Sequence, residues 1–202
     1  VCGSCLILIL AAMMVRSLQR VLSDDLGFDY EQSVTLQPAL GRYGYTGADA
    51  IAYWRAVQDR VLQHPETAAV TLALAPPLGG RIQENSFEDV PGLEVVSNRI
   101  SRSFFEVMSI PLVAGRTFTA GDDVATTVIV SRILATEMFG TLDVVGRGFP
   151  RSKPVATIVG VAGDAHSIRL GSVRSWELYP PLVQNDYPQA VMIAPARADA
   201  RA

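Results

Sequence analysis

The stretch from Ile100 to Asp123, Ile-Ser-Arg-Ser-Phe-Phe-Glu-Val-Met-Ser-Ile-Pro-Leu-Val-Ala-Gly-Arg-Thr-Phe-Thr-Ala-Gly-Asp-Asp, limits what the rest of the chain can be. Phe104 and Phe105 stand four and three positions before Met108, so a helix carries all three on one face, which needs a core to bury it. Ser101 or Ser103 can cap that helix, and Ser103 with Glu106 has the spacing of a capping box. Pro111 biases Ile110 towards an extended backbone and ends the helix. Gly115 and Gly121 are positions where the chain can turn through positive φ. The Asp122-Asp123 doublet closes the run on the surface.

The chain has 202 residues, enough for one large domain or two small ones with a real core. Hydrophobic residues make up 49% and mean hydropathy is +0.25, high for a soluble protein. Much of that excess lies in Val1 to Val15, an apolar run whose polar interruption is Ser4. A spanning helix needs roughly 20 apolar residues, so this run is short alone. It begins without Met and is expected to enter a helix partway through. Arg16 and Arg20 follow on one side, placed to snorkel towards headgroups. A cleaved signal peptide is the rival reading, but a basic leading region and a small-x-small cleavage site are missing. A truncated transmembrane helix and its exit are therefore expected over residues 1–24. Its orientation is open, because the positive-inside rule compares two flanks and one is absent. Cys2 and Cys5 could form a bridge or a redox pair, yet both sit in the apolar run, where a thiol acts as a small hydrophobe. The net charge of −3 provides no basic field, so nucleic acid is not an expected partner.

Along the chain, alternation from Ser33 to Leu40 suggests a strand weakened by Pro38. Ala48 to His64 reads as a helix with an apolar stripe at Ile51, Trp54, Val57 and Val61, ended by Pro65. Ala68 to Ala75 is a buried strand, and Glu94 to Ile100 leads into the opening stretch. Thr126 to Val130 is β-rich. Ser131 can cap a helix bearing Leu134, Ala135, Met138 and Phe139, with Gly140 just past its end. Ala156 to Val161 and Ala190 to Ala194 complete the strands. This irregular alternation points to α+β.

Signs of chemistry are weak. Gly148 to Lys153 superficially suggests a phosphate loop, but Ser152 occupies the Gly position and Pro154 follows the Lys. His64 and His166 lack neighbours at metal-ligand spacing; His64 suits a helix C-terminus. Ser131 lacks the flanking glycines of a nucleophile elbow. The Asp24-Asp25 and Asp122-Asp123 doublets could meet a cation, but neither supplies the spaced oxygens that calcium needs. Trp176, Tyr179 and Tyr187 are open between binding surface and packing. No catalytic, cofactor-binding or metal residue is assigned, and no cofactor is expected.

The run Phe-Phe-Glu-Val-Met-Ser-Ile-Pro-Leu-Val-Ala-Gly-Arg-Thr-Phe-Thr-Ala-Gly-Asp (Phe104 to Asp122) resembles the signature of the periplasmic core domain of MacB-like, FtsX-related permeases of ABC transporters. It is similar to the type with a duplicated core. Other segments resemble the family in order: Arg16 to Leu18 with Leu26 to Asp29 at the membrane exit, the Pro77-Leu78-Gly79-Gly80 turn, Val145-Gly146-Arg147, Gly163 to His166, and Glu177 to Leu182. Arg102 and Ser109 depart from it, standing where Pro and Gly are usual. The resemblance implies a two-lobed periplasmic core domain over 29–197. One lobe is discontinuous, 29–76 plus 156–197, and the other, 77–155, is inserted. It also implies a permease fragment in the bacterial inner membrane, its main domain outside, coupling ATP hydrolysis by a separate ABC ATPase subunit to export or envelope remodelling. A permease dimer or pseudo-dimer and a periplasmic adaptor or cargo are the other implied partners. Two alternatives stand beside it: a membrane-tethered periplasmic binding module without an ATPase, and a secreted hydrolase.

Overall fold

A computed structural model describes residues 2–23, 27–28, 33–78, 83–86, 94–150, 154–165, 176–183 and 190–195. Helix α1 (Cys2–Ser23) leads the chain. A short strand β1 (Val34–Leu36) stops before Pro38, and helix α2 (Gly47–Leu62) follows a 3-10 turn at Leu40–Tyr43. The expected α2 stripe forms: Trp54 is buried, with Val57 and Val61 half-buried against Leu40, Val70, Leu72 and Val191.

Strand β2 (Thr67–Ala73) joins β1 and the last strand, β10 (Ala190–Pro195), in an antiparallel sheet of order β1-β10-β2. The second sheet holds β3 (Gln83–Ser86), β4 (Glu94–Ser97), β5 (Leu112–Gly115), β6 (Thr127–Ser131), β7 (Gly148–Phe149), β8 (Ala156–Ala162) and β9 (Trp176–Tyr179). Its order is β3-β4-β9-β6-β8-β5, with β7 beside β8. The β4–β9 and β6–β8 pairs are parallel and the rest antiparallel, so the fold mixes helices with two sheets. Strands β8 and β9, assigned from sequence to the discontinuous lobe, pair with β6 and β4 of the insert. Their partners are set by long-range register, which a local reading does not contain.

Between the sheets sits α3 (Phe104–Val107), a single turn. Its Phe104, Phe105 and Val107, with Met108, are buried in one cluster with Ala73 and Met192 from the first sheet and Ile129, Ala162 and Tyr179 from the second. The segment that most constrained the sequence is thus the wedge joining the two sheets. Helix α4 (Arg132–Phe139) closes a second cluster around Val95, Val128, Val130, Leu134, Phe149 and Ile158. It is capped as expected: the Ser131 hydroxyl accepts from the Leu134 N–H at 3.3 Å, and Gly140 ends it at φ 67°.

The expected capping box at α3 does not form. The Ser103 hydroxyl instead donates to the Val70 carbonyl at 2.7 Å, and the Ser101 hydroxyl accepts from the Leu72 N–H at 3.1 Å. A one-turn helix offers little to cap, so both serines satisfy the neighbouring strand. Gly115 has φ 74°, and a Cβ there would lie 2.3 Å from the Val159 carbonyl oxygen, so glycine is required on both counts. Gly121 has no positive φ and open space around it. Ser109 lies at φ 54°, in the left-handed region that favours glycine.

Candidate functional site

Residues 98–103 form a seam. On one side Leu74 N–H donates to the Arg99 carbonyl at 3.0 Å and Ser101 N–H to the Leu72 carbonyl at 2.9 Å. On the other, Ile100 N–H donates to the Pro180 carbonyl at 3.1 Å and Leu182 N–H to the Ile100 carbonyl at 2.8 Å. Buried Asn98 holds Ala75 by both main-chain groups, at 3.2 and 2.9 Å. Below the seam, Phe104 and Phe105 meet edge to face at 5.6 Å, and Phe105 meets Tyr179 at 5.2 Å. The buried Tyr179 hydroxyl donates to the Glu177 carboxylate. Burial, and next the Glu177 charge, hold its phenol protonated well above the ordinary value. Glu177 N–H in turn donates to the Ser131 hydroxyl at 3.1 Å.

Beside the seam opens a cleft of about 480 Å³ between α2, the turn before α3, the 118–124 loop and residues 181–183. Ile51, Trp54, Leu72, Ile100, Phe118 and Leu182 give it an apolar lining, while Arg55 and Arg102 bring two cations. The buried Trp54 indole N–H has no hydrogen-bond partner among the described residues. Asp122 also lines the cleft, but its carboxylate takes two bonds of 2.7 Å from the Arg116 guanidinium and one of 2.6 Å from the Thr119 N–H. The guanidinium contact holds the Asp122 carboxyl far below the usual carboxylate range.

A third feature lies where the chain leaves α1. Phe28 packs half-buried against the α3 cluster. A Cβ on Gly27 (φ 73°) would lie 2.1 Å from the Asp164 carbonyl oxygen. The Asp164 carboxylate accepts from Arg132 Nε at 2.8 Å and from Ile133 N–H at 2.9 Å, at the start of α4.

Residues 4–194 match the MacB-like periplasmic core domain family. The chain belongs to that family. The solved periplasmic region of MacB from Actinobacillus actinomycetemcomitans is similar in fold at TM-score 0.52 and 13% identity, covering 90% of this chain and 84% of that one. The extracellular domain of the noncanonic ABC-type transporter YknZ from Gram-positive bacteria gives 0.48 at 15% identity, covering 83% of each chain. A domain of a putative permease from Porphyromonas gingivalis gives 0.47 at 20% identity, over 70% of this chain and 67% of that one. No curated protein sequence matches the chain.

Within this MacB-like domain the residues singled out from sequence scatter rather than converge. Phe104, Phe105 and Met108 are core. Tyr179 is core too, and Trp176 is half-buried against the α4 cluster, so both pack; Tyr187 lies outside the described residues. His64 is exposed just beyond α2, its Nδ1 accepting from Glu66 N–H at 3.4 Å, while His166 lies outside the described residues. Ser131 is fully buried with its hydroxyl committed to main-chain donors. Asp122 and Asp123 form a turn, Asp123 accepting from Ala125 N–H at 2.9 Å. Asp24, Asp25 and residues 151–153 of the phosphate-loop lookalike lie outside the described residues, as do the side chains of Cys2 and Cys5. Among the described residues no group of three His, Cys, Asp or Glu could hold a metal ion. Reading the sequence missed Asn98, whose partner Ala75 lies 23 residues away, and the cleft that gathers Arg55 and Arg102.

The expected membrane span, read from sequence as part of a helix, is not confirmed. No helix among the described residues is long and apolar enough to cross a membrane.

Proposed function

We propose that this chain is the extracytoplasmic domain of an ABC transporter permease of a bacterial cell membrane, attached through α1. In this reading a separate ATPase subunit supplies the energy, and the domain turns it into movement outside the membrane, for export or envelope remodelling. One observation carries the attachment: the side chains of α1 from Ile7 to Gln19 are all exposed, with Ile7, Leu8, Met13 and Met14 between 64% and 75%. A helix apolar on every side needs a covering, and lipid or neighbouring helices provide it. Further helix length and partner spans, as in a permease dimer or pseudo-dimer, complete the crossing. Gly27 and Phe28 support the coupling, since they seat the exit from α1 against the core shared by both sheets. The reading requires no catalytic residue on this chain.

The test is purification of the tagged permease from membranes. An ATPase subunit is expected to co-purify with it, and the 202-residue chain alone is expected to sediment with membranes after a high-salt wash. Stoichiometric ATP binding by the isolated chain, read by calorimetry, would overturn the division of labour. Release of the chain into the salt wash would overturn the attachment.

A further inference from the structure

We infer that the cleft beside the seam is a binding site for a small amphiphilic anion, an apolar body carrying one carboxylate. Its volume of about 480 Å³ falls within the range of small-molecule sites. The apolar lining calls for an apolar body. The charge calls for an anion. Arg55 comes from α2 and Arg102 from the turn before α3, both exposed, and neither has an ion-pair partner among the described residues. The acid in the lining, Asp122, is already neutralised by Arg116, so the two arginines set the sign. Arginine suits a carboxylate because its planar fork donates two parallel N–H bonds.

The rival occupant is an extended acidic peptide, which gains affinity by adding a strand to an open sheet edge. The edge of β2 beside the cleft is taken. Ser101, Ser103 and Arg99 already bond Leu72, Val70 and Leu74 along it. A peptide there finds no main-chain ladder, and a compact ligand needs none. The site is independent of any ATPase, so its failure and the failure of the permease reading are separate results.

Calorimetry on the 202-residue chain in amphipol, with empty amphipol subtracted, tests the site using 2-naphthoate and its neutral analogue 2-naphthylmethanol. Naphthoate is expected to bind at one site per chain, about tenfold more tightly than the alcohol. Arg55→Gln and Arg102→Gln are each expected to weaken naphthoate about fivefold, the loss of one half-exposed charge contact, and to leave the alcohol unchanged. Both side chains are exposed, so unaltered alcohol binding doubles as proof that the variants fold. Equal affinity for the two probes, no effect of either substitution, or several weak sites per chain overturns the proposal. So does displacement of naphthoate by an acidic nonapeptide that binds more tightly than the probe, which would reassign the cleft to a protein partner.

Discussion

Phe105→Ala tests whether α3 is the wedge between the sheets. Phe105 is 3% exposed and sits in the cluster that draws residues from both sheets. Truncating a buried phenylalanine costs about 3–5 kcal/mol through lost transfer energy and the cavity left behind. The ring also loses edge-to-face contacts with Phe104 at 5.6 Å and Tyr179 at 5.2 Å, which places the cost near the upper end, about 4 kcal/mol. That is a large part of the roughly 5–15 kcal/mol that holds a domain together. With a urea slope of about 2 kcal/mol/M, the midpoint falls by ~2 M. Far-UV circular dichroism and tryptophan fluorescence should fall together, since one cluster serves both sheets. Leu62→Ala, at a half-exposed helix end, is the control and should change stability by less than about 0.5 kcal/mol. A Phe105→Ala midpoint within about 0.5 M of the parent, or two separated transitions, refutes the wedge.

Ser109→Gly relieves a left-handed residue and is expected to stabilise the chain by about 1 kcal/mol in the same titration. Gly115→Ala forces a Cβ against the Val159 carbonyl and is expected to cost more than about 2 kcal/mol, read as a lower melting temperature. Ser131→Ala strips a buried acceptor from the N–H groups of Leu134 and Glu177, with an expected loss of about 2 kcal/mol. The Asp122–Arg116 contact predicts a pH dependence. Because the folded carboxyl is held below its unfolded value of about 3.9, its contribution is complete above that pH and fades as pH falls towards the depressed folded value. The stability gap between parent and Asp122→Asn should therefore shrink between about pH 5 and pH 2, and a gap that widens there is the contrary result.

What was legible in the sequence was local. The α2 stripe and the strand-cap-helix run from Thr127 to Gly140 are written in neighbouring residues, and both form. Strand β5 went unseen because Pro111 reads as a break, yet it also sets the extended backbone that begins the strand. Ser101 and Ser103 had two sets of main-chain groups to choose from, their own helix and β2, and sequence spacing reveals only the first. The placement of β8 and β9, and the cleft that unites residues 51–58, 100–102, 118–124 and 181–183, depend on register across the whole chain.

The seam bears on how a push from the membrane would travel. Swinging the two sheets apart breaks the bonds from Leu74 to Arg99 and from Ser101 to Leu72, and it strips Asn98 of both contacts with Ala75. Each buried group left unmade costs about 1–3 kcal/mol, and the wedge of Phe104 and Phe105 would open with them. A hinge at the seam is thus dearer than moving the sheets together. Phe28 rests on that same wedge cluster, and Gly27 abuts Asp164, which holds the first turn of α4. Displacement arriving at the end of α1 therefore meets both sheets through one core, and under the proposed function it moves them as a unit.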